Sequence, residues 1–143
     1  VLFYLGKLEA DVKAGAGTSA FDLYAETKFI QLLNAHYWRR QLEGSCEVVA
    51  VSPGLIPGTG LARHLDMKLS IDMPDAKTVA EGAQNILRAA EVKRSDFPED
   101  PEQIFLTSWG EWWGKDVYGL SLDQALQDKW SVSKEEIEKE EGV

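Results

Sequence analysis

Two short runs, Glu47-Val-Val-Ala-Val51 and Gln103-Ile-Phe-Leu-Thr107, constrain this chain more than any other feature of it. Both are β-rich and nearly all apolar, without the polar alternation of a half-exposed sheet, so each reads as a strand buried on both faces. Between them, Thr78 with Glu81 three residues on opens a helix through a capping box. Ala80, Ala83, Ile86, Leu87 and Ala90 supply its apolar side, and it ends near Lys93. Ahead of the first run, Ser19 is a plausible N-cap with Asp22 at the box position, and a helix follows to about Glu43, with Gly44 as its left-handed stop. The order is therefore helix, strand, helix, strand. Strands joined by a crossover helix lie parallel, which makes the chain an α/β layer structure.

The long helix carries Ala25, Phe29, Leu32 and His36 on one stripe and Ile30, Leu33 and Tyr37 on the next, a broad face suited to packing on a sheet. After the first strand, Pro53, Gly54, Pro57, Gly58 and Gly60 impose a loop. Leu61–Lys68 is then expected as a short helix, and Phe97-Pro-Glu-Asp-Pro101 as a connector. Beyond the second strand come an aromatic turn at Trp109, Trp112 and Trp113, a helix from Leu122 to Trp130, and a capped acidic helix at Ser133-Lys-Glu-Glu136. The tryptophans are expected in the core and the acidic helix on the surface. Residues 1–18 read as a surface segment, 19–107 as the core unit, and 108–143 as a C-terminal extension of one partial domain.

With 143 residues the chain is of ordinary domain size. A net charge of −9 repels phosphate backbones, which argues against nucleic acid as a partner. Arg39-Arg40 reads as a solvated face. No stretch approaches the length of a membrane span. Cys46 stands alone, which excludes an internal disulfide framework and suits a reducing, cytoplasmic setting. With only His36 and His64 added, no zinc-like spacing can be assembled. The opening run Val1-Leu2-Phe3-Tyr4-Leu5 looks cut, as in a piece of a longer protein.

Tyr24-Ala-Glu-Thr-Lys28 sets a phenol and an ammonium four residues apart on one helix face. A phenol titrates near about 10, and a nearby cation favours the phenolate, so such a couple can exchange a proton with an alcohol or carbonyl oxygen. On spacing alone a packed tyrosine edge beside a solvated lysine is the favoured reading.

Context changes that balance. Tyr24-x-x-x-Lys28 on a long helix, the run Val48–Val51, and then Ser52-Pro53-Gly54-Leu55-Ile56 together resemble the second half of the short-chain dehydrogenase/reductase family, from about Phe21 to Leu106. Pro53-Gly54-Leu-Ile-Pro-Gly-Thr59-Gly-Leu-Ala-Arg63 is most similar to its retinol dehydrogenase and protochlorophyllide reductase branch, of fungal type. The resemblance implies the C-terminal half of a Rossmann-type doubly wound parallel sheet, with the N-terminal dinucleotide-binding half absent. It implies NAD or NADP as cofactor and a small apolar carbonyl or alcohol as substrate. Tyr24 would be the proton donor or acceptor, and Lys28 would tune it and hold the nicotinamide ribose. Pro53, Gly54, Leu55 and Ile56 would pass the nicotinamide ring. Thr59 stands one position later than the family's usual hydroxyl.

Gly15-Ala-Gly17-Thr-Ser-Ala20 mimics a dinucleotide turn, but the charged segment before it is no buried strand. The family's catalytic serine has no counterpart after a strand here and is expected upstream of Val1. Leu61, Leu65, Met67 and Leu69 either wall an apolar pocket or fill the core beneath a loop. The chain taken alone is expected to lack turnover, with an open sheet edge that invites self-association. The competing reading is a non-catalytic remnant that serves as a binding or assembly module.

Overall fold

The computed structural model describes residues 20–60 and 69–142, with side chains from Leu23 onward. The readings of residues 1–18, the Ser19 cap, the Gly15–Ala20 turn and the Leu61–Lys68 helix lie outside the described residues. Helix α1 spans Ala20–Gln41, strand β1 Ala50–Val51, helix α2 Val79–Glu91 and strand β2 Phe105–Leu106. Helices α3 (Lys115–Tyr118), α4 (Gln124–Trp130) and α5 (Lys134–Glu141) follow. The sequence order of helix, strand, helix, strand is present, with Gly44 left-handed after α1 at φ 77°.

β1 and β2 are parallel, with Ala50 opposite Phe105 and Val51 opposite Leu106. Ala50 N–H donates to Ile104 O at 2.9 Å and Ser52 N–H to Leu106 O at 3.0 Å. The far edge of β2 is taken by the chain folding back: Trp113 N–H reaches Phe105 O at 2.9 Å and Thr107 N–H reaches Glu111 O at 2.8 Å. Gly110, at φ 83°, makes that reversal possible. β1 has no partner on its other edge among the described residues, so Val48–Val51 is half-buried rather than enclosed on both faces.

α2 begins with the expected capping box. Thr78 Oγ1 accepts from Glu81 N–H at 3.2 Å, and Thr78 N–H donates to Glu81 Oε2 at 2.7 Å. Its buried side, however, is Gly82 and Asn85, not Ala80, Ala83, Ile86, Leu87 and Ala90. Ile86 and Leu87 are 52% and 50% exposed. The loop after β1 decides this, because Ile56 lies directly over Gly82, where a Cβ would meet its side chain, and Asn85 supplies a donor to Pro53 O at 3.1 Å.

α1 does not pack chiefly on the sheet. Its buried residues Ile30, Leu33 and His36 fall at helical spacing, and the helix rests on the 3-10 turn Gly119–Leu122 and on α4. Arg40 is no solvated face: it donates to Gln127 Oε1 at 2.8 Å and pairs with Asp128 at 2.6 Å. Asp123 caps α4, so that helix starts at Gln124, and Leu122 belongs to the preceding turn. Trp109 and Trp113 are not core either, whereas Trp112 is half-buried against Phe97. Trp109 is 56% and Trp113 38% exposed, because the reversal at Gly110 uses its backbone to pair with β2 and leaves these two indoles outside. Trp113 still stacks on Phe105 at 4.9 Å. α5 has the anticipated cap at Ser133 and buries no residue.

His36 is the unexpected member of this core. It is fully buried and stacked on Tyr118 at 5.8 Å, and neither ring nitrogen has a hydrogen-bond partner among the described residues. Burial, followed by the nearby Arg39 guanidinium, lowers its pKa from 6.5 to about 4. Between those values the unfolded chain binds a proton that the folded chain refuses. Stability is therefore complete above the upper value and declines as pH falls toward the lower one. At about 1.4 kcal/mol per pH unit, the loss is about 3 kcal/mol. Urea unfolding between pH 7 and 4 should show this limb, and His36→Phe, which keeps the ring stack, should flatten it by that amount. An equal slope in both proteins would contradict the assignment.

Candidate functional site

A groove of about 570 Å³ lies between α1, residues 49–54 and Phe105 of β2. α1 contributes Tyr24, Lys28, Gln31, Leu32 and Ala35, at i, i+4, i+7, i+8 and i+11, which share one helix face. The opposite wall is formed by Val49, Ala50, Val51 and Phe105, and the groove ends on Ser52, Pro53 and Gly54. This is the C-terminal end of a parallel strand, where the chain must leave the sheet and where α/β folds open their crevices.

Tyr24 is half-buried and Lys28 exposed, and the Lys28 ammonium lies 5.7 Å from the centre of the Tyr24 ring. It also donates to Gln31 Oε1 at 3.2 Å. The sequence reading missed Gln31, although its place three residues beyond Lys28 on the same face was the available signal. The groove thus brings together a phenol, a cation and a carboxamide on the α1 wall, facing residues 49–54 and Phe105.

The end of the groove is held firmly. Gly54 has φ 93°, and its N–H donates to Ser52 Oγ at 3.3 Å. A Cβ at Gly54 would stand 2.6 Å from Lys77 Cγ and 3.2 Å from Ser108 Cβ, so the glycine is demanded by packing as well as by φ. Behind it, Ser108 hydrogen-bonds Asp75, and Lys77 Nζ lies 3.4 Å from the Asp75 carboxylate and 5.4 Å over the Trp109 ring. Asp75 is itself left-handed at φ 63°, a conformation aspartate tolerates better than most residues. Asp75, Lys77 and Ser108 were not singled out from sequence. Only Ser108, a hydroxyl just past the end of a strand, carried a signal there.

Of the expected cofactor-facing residues, the groove collects Lys28, Pro53 and Gly54 and leaves Leu55, Ile56 and Thr59 outside. Leu55 forms a parallel bridge with Ala76, its N–H reaching Asp75 O at 3.1 Å. The Ile56 side chain lies over Gly82. Thr59 is exposed, and its hydroxyl donates to Ile56 O at 3.1 Å, closing a local turn. Leu61, Leu65 and Met67 lie outside the described residues, and Leu69 is half-buried. Among the described residues no group of His, Cys, Asp and Glu could hold a metal ion, and no helix is long and apolar enough to cross a membrane.

Over 131 residues, 91% of this chain, the sequence is 58% identical to a curated short-chain dehydrogenase/reductase of Pestalotiopsis microspora. The chain spans 44% of that relative's length. No family model and no solved structure matches it.

Gly54→Ala should test how rigidly the groove's end is built. The left-handed backbone and the close Lys77 and Ser108 carbons together predict a loss of about 1–3 kcal/mol in denaturant unfolding. Undiminished stability would show that the loop can move aside freely.

Proposed function

Because the chain belongs to the short-chain dehydrogenase/reductase family, we propose that it supplies the catalytic part of an NAD(P)-dependent oxidoreductase acting on a carbonyl or secondary alcohol. The observation that carries this reading is the meeting of Tyr24, Lys28, Pro53 and Gly54 along one groove at the C-terminal end of β1. These residues come from a helix and a loop separated in sequence by a strand.

The groove suits the nicotinamide-ribose end of a dinucleotide. Its volume lies in the range of small-molecule sites, its cation can donate to ribose hydroxyls, and its peptide groups offer partners to a carboxamide. When bound, the cofactor supplies or accepts hydride. Tyr24 then gives a proton to the substrate oxygen during reduction and takes it back during oxidation. The Lys28 ammonium stands one helical turn away, 5.7 Å from the centre of the Tyr24 ring. Gln31 steadies that ammonium. The Pro53–Gly54 turn sets the floor on which a planar ring can lie.

In this reading the open edge of β1 is where the remainder of a longer protein continues the sheet and supplies a seat for the pyrophosphate. The activity is that of the longer protein, with a small apolar carbonyl or alcohol as substrate.

Tyr24→Phe in the full-length protein is the direct test. It removes only the hydroxyl, so reduction of a panel of apolar aldehydes and ketones should fall at least about a hundredfold, while dinucleotide affinity stays within several-fold. Near-normal turnover would rule out Tyr24 as the acid and base.

A further inference from the structure

Asn85 is a polar side chain where helix α2 would be expected to bury an apolar one. It is 4% exposed, and its Nδ2 donates to Pro53 O at 3.1 Å across a sequence gap of 32 residues. The acceptor is the carbonyl of the peptide that joins Pro53 to Gly54. The N–H of that same peptide donates to Ser52 Oγ at 3.3 Å. Both ends of one peptide unit are thus held, one from α2 and one from the strand's own exit. The orientation of that peptide plane sets ψ of Pro53 and φ of Gly54, and so decides which way the backbone presents itself at the groove's end.

We propose that Asn85 is a positioning residue for the cofactor site: it fixes the Pro53–Gly54 peptide so that the loop meets the dinucleotide already oriented. The inference rests on the functional reading above and deepens it. Gly82, three residues earlier on the same face of α2, supports it by leaving room for Ile56, since a Cβ there would collide with the Ile56 side chain. α2 therefore grips the loop at two points, one by shape and one by a hydrogen bond. An unpaired buried carbonyl is costly, and a peptide freed on one side can rotate to find another donor. The free loop would then populate several orientations, and the dinucleotide would have to select the competent one, weakening its apparent affinity by that fraction.

The test uses the full-length protein with Asn85→Leu, which keeps the branched outline, somewhat enlarged, and removes the donor, and Asn85→Asp, which keeps the shape and offers an acceptor instead. Dissociation constants for NADPH and NADH are measured by calorimetry, alongside KM and kcat. The expected result is a rise of about tenfold in dinucleotide Kd and KM for both variants, with kcat within about threefold, because Asn85 does not touch the reacting atoms. If Asn85→Leu does not fold, Asn85→Asp carries the test. Unchanged Kd and KM in a folded variant would overturn the positioning role, as would a loss confined to kcat. Failure of the unsubstituted protein to bind either dinucleotide would overturn the functional reading itself and this inference with it. Binding retained by the unsubstituted protein but unaltered by both variants overturns the inference alone.

Discussion

The parallel register of β1 and β2 governs the molecule. Two parallel strands cannot be joined by a tight turn, so the chain must leave the end of β1, travel back and re-enter beside it, and α2 is the element that makes this return. Once Val51 stands opposite Leu106, the exit of β1 at Ser52–Gly54 and the exit of β2 at Thr107–Ser108 are fixed side by side. Ser108 Cβ then closes on Gly54, Asp75 and Lys77 pack behind it, and the loop has one path left. The candidate site is the outcome of this crowding at one end of a very small sheet.

α1 and the C-terminal extension complete the arrangement from the other side. The core face of α1 is spent on the turn at Gly119–Leu122 and on α4, through Ile30, Leu33 and His36 and through the Arg40 bonds to Gln127 and Asp128. That docking leaves the Tyr24, Lys28 and Leu32 face of the helix turned to the groove. Tyr118 ties the extension back toward β2, its hydroxyl reaching Glu102 O at 3.2 Å, and its pKa is raised chiefly by burial. Lys115 bridges Asp100 and Glu102 on the same side, and its hydrogen bond holds the Asp100 carboxyl below its ordinary value. The extension is thus a structural brace for the helix that carries the proposed acid and base.

Much of this was legible in the residues. The caps at Thr78 and Ser133, the stop at Gly44 and the two apolar strands declare themselves through local chemistry, and their order requires a parallel pair. The Tyr24 and Lys28 spacing puts both on one face by helix geometry alone. What stayed hidden depends on contacts between distant segments. Ile86 and Leu87 carry the apolar signal of α2, yet Gly82 and Asn85 are buried because the Pro53–Ile56 loop, not a generic core, is what the helix meets. The tryptophans look like core residues by composition but flank a reversal at Gly110 whose purpose is backbone pairing with β2. His36 was placed on the right helix, though no pattern in the sequence shows that an unpaired imidazole would be sealed against Tyr118.

The central claim is that the groove beside β1 receives the nicotinamide end of a dinucleotide. A crystal structure of the full-length protein with NADP or NAD bound tests it most directly. The account predicts the nicotinamide ribose hydroxyls within hydrogen-bonding distance of Lys28 Nζ, with the ring beside the Pro53–Gly54 turn and facing Tyr24. A dinucleotide bound elsewhere, with the groove filled by another segment of the protein, would contradict it.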